Sequence, residues 1–142
     1  MHPQIIKNNY VMKKLRFIFV FVVALSFAAC EKEIDLGYPK TVTFSKDGGS
    51  QTITTANGNT FSLAEIHDYK SGDDGTFGTR EDGTTEYNTY EWLTVEYQPH
   101  STELRIIAEP NNSRSRTLHI ELYSGPDYHV VKVTQEAAMM LE

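Results

Sequence analysis

Cysteine is almost absent from the chain, since Cys30 is the only one among 142 residues. A single thiol cannot form an intramolecular disulfide, even in a compartment that permits disulfides. It also cannot supply the cysteine cluster of a structural zinc site. A folded domain in this chain must therefore be stabilised by a packed hydrophobic core.

Long apolar runs are absent as well. The apolar segment 17–29 contains 13 residues (29 minus 16) and follows three cations, Lys13, Lys14 and Arg16. A helix needs about 20 apolar residues to cross the hydrocarbon core of a bilayer. A basic start, a short apolar middle and small residues at the end are instead typical of an export signal. We therefore expect no permanent membrane span.

The end of this segment resembles a lipoprotein signal. The run Leu25-Ser26-Phe27-Ala28-Ala29-Cys30 is similar to the lipobox of bacterial lipoproteins, with Phe27 where Leu is commonest. The resemblance implies that the signal is cleaved before Cys30 and that Cys30 is lipidated. Several acyl chains together would anchor the protein stably in a membrane. The alternative is an ordinary export signal with a cysteine near its end.

The residues around this signal leave two questions open. Met12-Lys13-Lys14 is typical of a natural start, so residues 1–11 are either native or an upstream extension. Glu31, Glu33 and Asp35 resemble the surface-export signal of Bacteroidetes lipoproteins, although a solvated tether has the same composition. We expect an outer-membrane lipoprotein of the cell envelope, either surface-exposed or periplasmic.

Positive charge is scarce in the mature chain. It spans 113 residues (142 minus 29), the size of one ordinary domain. Four of the 13 Lys and Arg precede Cys30, so nine remain against 19 Asp and Glu, a net charge of about −10 (9 minus 19). Nucleic-acid binding depends on cations that neutralise phosphates. We therefore expect no nucleic-acid partner.

Helical periodicity is absent after residue 30, and alternation with a period of two replaces it. The residues expected on inward faces are Val42, Phe44, Ile53, Leu93, Val95, Tyr97, Leu104, Ile106, Ala108, Leu118, Ile120, Leu122, Val131 and Val133. In residues 60–66, Phe61 and Leu63 share one phase, which Glu65 also fits, and Ile66 is out of phase. Turn residues separate the runs. The pattern predicts an all-β fold, an immunoglobulin-like antiparallel β-sandwich of seven or eight strands.

Several short motifs, taken in order, resemble a BACON domain, a name that abbreviates Bacteroidetes-associated carbohydrate-binding often N-terminal. They are Val42-Thr43-Phe44, Gly48-Gly49-Ser50-Gln51-Thr52-Ile53, Glu91-Trp92-Leu93-Thr94-Val95, Asn112-Ser113 with Arg116-Thr117-Leu118-His119-Ile120, and Val131-Lys132-Val133-Thr134-Gln135. The resemblance implies an immunoglobulin-like sandwich on secreted or lipid-anchored proteins, with Trp92 packed inside. Phe61 departs from the pattern, because it replaces the first tryptophan of the family.

These patterns divide the chain into five parts. They are a signal peptide at 1–29, a lipidated tether at 30–38, a BACON-like domain at 39–137, an inserted hairpin within it at about 67–91, and a C-terminal tail at 138–142.

The inserted hairpin carries the candidate ligand-binding residues Tyr69, Phe77, Tyr87 and Tyr90, with acidic residues between them. Flat aromatic faces beside hydrogen-bonding groups are typical of carbohydrate sites. The alternative is a polar hairpin whose aromatic residues pair across its strands. A third interpretation is that the hairpin joins the sheet edge of a neighbouring protein.

No catalytic, cofactor or metal site is predicted. Residues 73–81 are acidic but lack the alternating oxygen ligands of a calcium loop, and Arg80 lies among them. The histidines have no metal-ligand spacing, and no nucleophile motif occurs. We therefore expect a non-enzymatic, lipid-anchored interaction module of the cell envelope that binds a glycan or mucin. The alternative is a structural or accessory lipoprotein that binds another envelope protein.

Overall fold

The computed structural model describes residues 31–138, so the predicted signal peptide, Cys30 and residues 139–142 lie outside it. The described residues form nine strands. They are β1 (Thr41–Phe44), β2 (Gly49–Thr54), β3 (Leu63–His67), β4 (Thr76–Thr79), β5 (Glu86–Tyr90), β6 (Leu93–Tyr97), β7 (Glu103–Ala108), β8 (Arg116–Ser124) and β9 (Asp127–Gln135). No helix in this range is long and apolar enough to cross a membrane.

The strands form two sheets, which confirms the predicted all-β sandwich. Sheet A has the order β1-β9-β8-β3 and sheet B the order β2-β7-β6-β5-β4. β1 pairs with β9 in parallel, and the other strand pairs are antiparallel. The predicted count of seven or eight strands is wrong, because the hairpin contributes two further strands, β4 and β5, to sheet B.

The core lies between the sheets and is built from alternating residues. Every residue expected to face inward on β6 to β9 is buried, as are Val42, Phe44 and Ile53. Phe61 is also buried and contacts the rings of Tyr38 and Tyr97, with centroids 5.7 Å and 5.5 Å away. Because each large apolar side chain is removed from water, this core stabilises the fold without a disulfide.

The predicted phase of β3 is wrong. Ala64 and Ile66 are fully buried, whereas Leu63 is 38% exposed. The register explains the difference, because Ala64 lies opposite Leu122 and Ile66 opposite Ile120, the inward residues of β8. Phe61 is buried too, but it precedes β3 in the chain and does not share the phase of the strand. The outer face of β3 therefore carries Leu63, Glu65 and His67.

The predicted hairpin is an integral part of sheet B. β5 pairs with β6 along its whole length, and the fully buried Asn88 of β5 reaches across to sheet A. Its Oδ1 accepts a hydrogen bond from the backbone N–H of Ile66 at 2.8 Å. Gly75 packs against the Asn88 amide so closely that a Cβ there would overlap it. The loop before β4 is thus fixed to β3.

The residues that carry the family resemblance hold the two sheets together. Trp92 is buried, as expected, with the Arg116 guanidinium 4.6 Å from its ring centroid. Arg116 Nε donates to Gln135 Oε1 at 2.8 Å, and Gln135 Nε2 donates to the carbonyls of Ser45 and Glu109. The buried Gln135 is therefore fully hydrogen-bonded, and these motif residues are structural.

The N-terminal segment packs on the sandwich well before residue 39. The backbone N–H of Ile34 donates to the Tyr128 carbonyl, and that of Tyr128 donates to the Lys32 carbonyl. Leu36 and Tyr38 are buried in the core. The segment predicted as a tether at 30–38 is thus part of the folded domain from Lys32 onward.

Candidate functional site

The strongest concentration of polar and aromatic side chains lies on the outer face of sheet A. Residues two apart on a strand share a face, so Glu65 and His67 of β3 point outward together, as do His119 and Glu121 of β8. The register sets Glu65 opposite Glu121 and His67 opposite His119. Like charges directly across a sheet repel each other, so the Glu pair needs a compensating cation.

His67 lies at the centre of this group. Its Nε2 is 3.1 Å from Glu65 Oε1 and 3.1 Å from Glu121 Oε2, and its Nδ1 is 2.5 Å from Asp74 Oδ1. The Tyr123 hydroxyl is 3.4 Å from Nε2 and donates to Glu121 Oε1. We call Glu65, His67, Asp74 and Glu121 the carboxylate–histidine cluster. Both imidazole nitrogens therefore face carboxylate oxygens.

Asp74 reaches this cluster from a loop that is tied to β3. The backbone N–H of Asp68 donates to the Asp73 carbonyl, and that of Gly75 donates to the Ile66 carbonyl. Asp68 Oδ1 accepts from the backbone N–H groups of Lys70 and Ser71 and closes the turn. The hydrogen bond to the Lys70 N–H is the largest cause of a lowered pKa at Asp68. The loop holds Asp74 beside His67.

Burial raises the pKa of Glu65 above its ordinary value. Asp74 and Glu121 act in the same direction, whereas His67 opposes them. Burial lowers the pKa of the neighbouring His119, and Lys132 adds to this effect. The cluster thus has an excess of negative charge. The imidazole of His119 beside it favours the neutral state.

Tyr69 lies over the same face. Its ring stacks on His119 with centroids 4.1 Å apart and an interplanar angle of 16°, and its hydroxyl donates to Glu121 Oε2 at 3.3 Å. Burial and then Glu121 raise the pKa of Tyr69, so it stays a neutral hydrogen-bond donor. The residue is nevertheless 53% exposed. One aromatic surface is therefore held in a fixed orientation toward solvent.

An open groove of about 500 Å³ borders the same histidine. His119 and Val130 form part of its lining, Lys40 and Lys132 supply cations, and Glu33 and Asp35 supply carboxylates. Neither lysine forms an ion pair within 4.0 Å among residues 31–138. His119 thus connects the two features, since it stacks on Tyr69 and also lines this groove.

The four predicted ligand-binding residues do not form one row. Phe77 lies opposite the buried Asn88 and is 43% exposed, whereas Tyr87 lies opposite Gly78 on the other face of sheet B. Arg80 covers the Tyr87 ring at 4.1 Å from its centroid. Tyr90 packs against the core and its hydroxyl donates to Asp73 at 3.4 Å. Only Tyr69 contacts the outer face of sheet A; a ligand role for the others stays a prediction.

The carboxylate–histidine cluster was not predicted from the sequence. Ligand atoms of Glu65, His67 and Asp74 lie within 4.8 Å of one another, so these residues are able to hold a cation. The available signal was the pair of patterns Glu65-x-His67 and His119-x-Glu121, each on an outward strand phase. Only the pairing of β3 with β8 brings the two patterns together. Cys30, the predicted lipidation site, lies outside the described residues.

Comparisons with known proteins match part of the chain to one family. Residues 82–136 match the BACON family, which is described as "Putative binding domain, N-terminal". The resemblance inferred from the sequence is thus confirmed over that segment. An NMR structure of a protein from Bacteroides thetaiotaomicron is 17% identical, with 75% of this chain and 81% of that chain covered and a TM-score of 0.47. No curated protein matches the sequence.

The family match and the candidate site overlap only in part. The matched residues 82–136 include His119, Glu121 and Lys132. Glu65, His67, Tyr69 and Asp74 precede the match. Four of these seven residues therefore lie outside the segment that matches the family model.

Proposed function

We propose that this chain, whose residues 82–136 belong to the BACON family of binding domains, is a carbohydrate-binding lipoprotein of the bacterial cell envelope. The observation that carries the proposal is Tyr69, which is fixed by His119 and Glu121 and is still half exposed. A sugar ring stacks its C–H bonds on such a surface at little conformational cost, because the tyrosine is already ordered.

The groove beside Tyr69 supports the same function. Carbohydrate hydroxyls need both donors and acceptors, and the lysines and carboxylates that line the groove provide them. Its open shape suits an oligosaccharide whose neighbouring sugars stay in solvent. We infer that one sugar stacks on Tyr69 and that adjacent residues of the glycan enter the groove.

The test is binding of mucin oligosaccharides, first on a glycan array and then by calorimetry. We expect Tyr69→Ala to weaken binding at least about tenfold, because the stacking surface is lost. Tyr87→Ala is the matched control, since Arg80 covers that ring on sheet B, and it should leave the affinity unchanged. Absence of glycan binding by the unaltered protein, or equal losses in both variants, would overturn the proposal.

Anchoring through Cys30 is the second part of the proposal. It rests on the lipobox-like run before Cys30 and on the acidic residues that follow it. Cells that express the wild-type chain should incorporate labelled palmitate into it, and Cys30→Ala should abolish the label. Protease treatment of intact cells then distinguishes a surface-exposed domain, which is cleaved, from a periplasmic one. An unlabelled wild-type chain with an uncleaved leader would contradict the anchor.

A protein partner is the second candidate, and the free edge of sheet B favours it. β4 pairs only with β5, and Phe77 on this strand is 43% exposed. An edge strand with an exposed aromatic residue is able to accept a strand from another protein. Under this alternative, Phe77→Lys would abolish cross-linking to an envelope protein, whereas Tyr69→Ala would not.

A further inference from the structure

The imidazole of His67 has carboxylate oxygens beside both of its nitrogens. Asp74 Oδ1 lies 2.5 Å from Nδ1, so Nδ1 carries a proton and donates it to this carboxylate. The other nitrogen, Nε2, faces Glu65 Oε1 and Glu121 Oε2 at 3.1 Å each. Carboxylate oxygens only accept hydrogen bonds. The space between Nε2 and these oxygens therefore suits a positive species, either a proton on Nε2 or a metal ion.

The spacing of these atoms fits a metal ion. Ligand atoms about 2.1 Å from a tetrahedral Zn²⁺ lie roughly 3.4 Å from one another. The Nε2–oxygen distances in the cluster are 3.1 Å to Glu65 and 3.1 Å to Glu121. An ion bound to Nε2 would therefore lie within reach of both carboxylates. The side chains of His67, Glu65 and Glu121 are only 14%, 19% and 13% exposed, so their directions are constrained by packing.

Asp74 has the position of an orienting residue. A histidine that binds a metal through one nitrogen commonly donates its other N–H to a carboxylate, which fixes the tautomer and the ring direction. Asp74 makes this contact with Nδ1, and the loop that carries it is hydrogen-bonded to β3 on both sides of His67. The lone pair of Nε2 is therefore aimed at the space between Glu65 and Glu121.

We propose that His67 Nε2, Glu65 and Glu121 bind one divalent transition-metal ion, for which Zn²⁺ is the probe, with Asp74 as the positioning residue. Imidazole combined with carboxylates suits this class of ion, whereas Ca²⁺ takes six to eight oxygen ligands and no imidazole. The sequence predicted no metal site because the ligands come from two strands distant in the chain. The metal site shares Glu121 with the surroundings of Tyr69, but the titration below measures metal binding without a carbohydrate.

The site should be sensitive to pH and occupied by one ion. Zn²⁺ takes the position that a proton on Nε2 would otherwise occupy, so acidification should weaken binding by competition. Binding only to the folded state should also raise the melting temperature. Because Tyr69 and Tyr123 both donate to Glu121, the bound ion would fix these side chains more firmly.

The experiment is a calorimetric titration of ZnCl₂ into the full chain, without an affinity tag, in detergent and after removal of metals with EDTA. We expect a stoichiometry of one. His67→Gln should weaken binding at least about tenfold, and Asp74→Asn should weaken it about 10- to 100-fold because the imidazole loses its orientation. CaCl₂ should bind far more weakly than ZnCl₂.

His119→Gln is the matched control. His119 lies directly opposite His67 on the same face but contacts none of the three carboxylates within 4.0 Å, so this variant should keep wild-type affinity. If His67→Gln fails to fold, Asp74→Asn decides, since the Asp74 side chain is 56% exposed. The proposal is overturned if the wild type binds no Zn²⁺ at about 1 mM, or if His67→Gln or a folded Asp74→Asn retains wild-type affinity.

Discussion

The outer faces of the two sheets differ in how their charged residues are paired and in how exposed their aromatic rings are. On sheet B, Glu96 accepts from Arg80 at 3.0 Å and from Arg105 at 3.1 Å, and Arg80 also covers Tyr87. On sheet A, three carboxylates surround one histidine, and Tyr69 stacks on His119 with half of its surface in solvent. The outer face of sheet B pairs Glu96 with two cations, whereas the outer face of sheet A has more carboxylates than cations and an aromatic ring in solvent.

This contrast is the reason why we propose the outer face of sheet A as the binding face. A groove of about 500 Å³ also exists on sheet B, lined by Thr52, Glu96, Glu103 and Arg105. Its Glu96 and Arg105 are already paired with each other, and its one aromatic residue, Tyr97, is buried. A ligand there would have to displace ion pairs without gaining an aromatic contact. Groove volume alone therefore does not distinguish the two faces, but the state of their side chains does.

Charge reversal tests the contrast with the largest expected effect. Glu96→Lys removes two ion pairs and adds a third cation beside two arginines, so we expect a loss of about 2 kcal/mol in the free energy of unfolding. Glu121→Lys adds a cation among carboxylates and should cost no more than about 0.5 kcal/mol. Urea denaturation at low ionic strength measures both. Equal losses would contradict a difference between the faces.

The second test removes the residue that packs on each exposed-face tyrosine, His119 on Tyr69 and Arg80 on Tyr87. His119→Ala should weaken glycan binding about three- to tenfold, since Tyr69 loses the ring that orders it. Arg80→Ala should leave glycan binding unchanged and lower stability by about 1 kcal/mol, through the lost contacts with Tyr87 and Glu96. Calorimetry and thermal unfolding separate the two outcomes. Loss of binding in Arg80→Ala would move the site to sheet B.

The smallest expected effect concerns the pH dependence of Glu65. Because burial raises its pKa in the folded state, the folded protein binds the proton more tightly, and this contribution to stability is lost as pH rises through the raised value. Glu65→Gln should therefore be more stable than wild type at pH 7, by about 0.5 kcal/mol. The difference should vanish below pH 4.5, the ordinary value. Urea titrations with EDTA present check this.

Alternation along single strands was sufficient to predict most of the fold. Leu104, Ile106, Leu118 and Ile120 are inward because a period of two is a local property that the sequence states directly. The inward face of β3 was predicted wrongly because its inward residues, Ala64 and Ile66, are preceded by the apolar Leu63, which faces solvent. Only the partner strand β8 resolves that ambiguity, and pairing is not a local property.

The candidate site was less predictable than the fold for the same reason. Tyr69 was a candidate because it is one of several aromatic residues in the predicted hairpin. Its stacking partner His119 lies on β8, so the contact depends on the strand order of sheet A. His67 meets Glu121 only through the register of β3 with β8, and it meets Asp74 only because the loop folds back on the strand. The motif residues Trp92, Arg116 and Gln135 carry the family resemblance, yet they hold the sheets together rather than line the groove beside His119.

The most direct test of the account is the map of amide chemical-shift changes when a mucin oligosaccharide is added to the ¹⁵N-labelled protein. The account predicts changes at Tyr69, His119, Val130 and Lys132, on and beside the outer face of sheet A. Residues of the opposite face, such as Tyr87 and Glu96, should not shift. Changes centred on sheet B, or none at saturating oligosaccharide, would contradict the claim that the outer face of sheet A is the binding face.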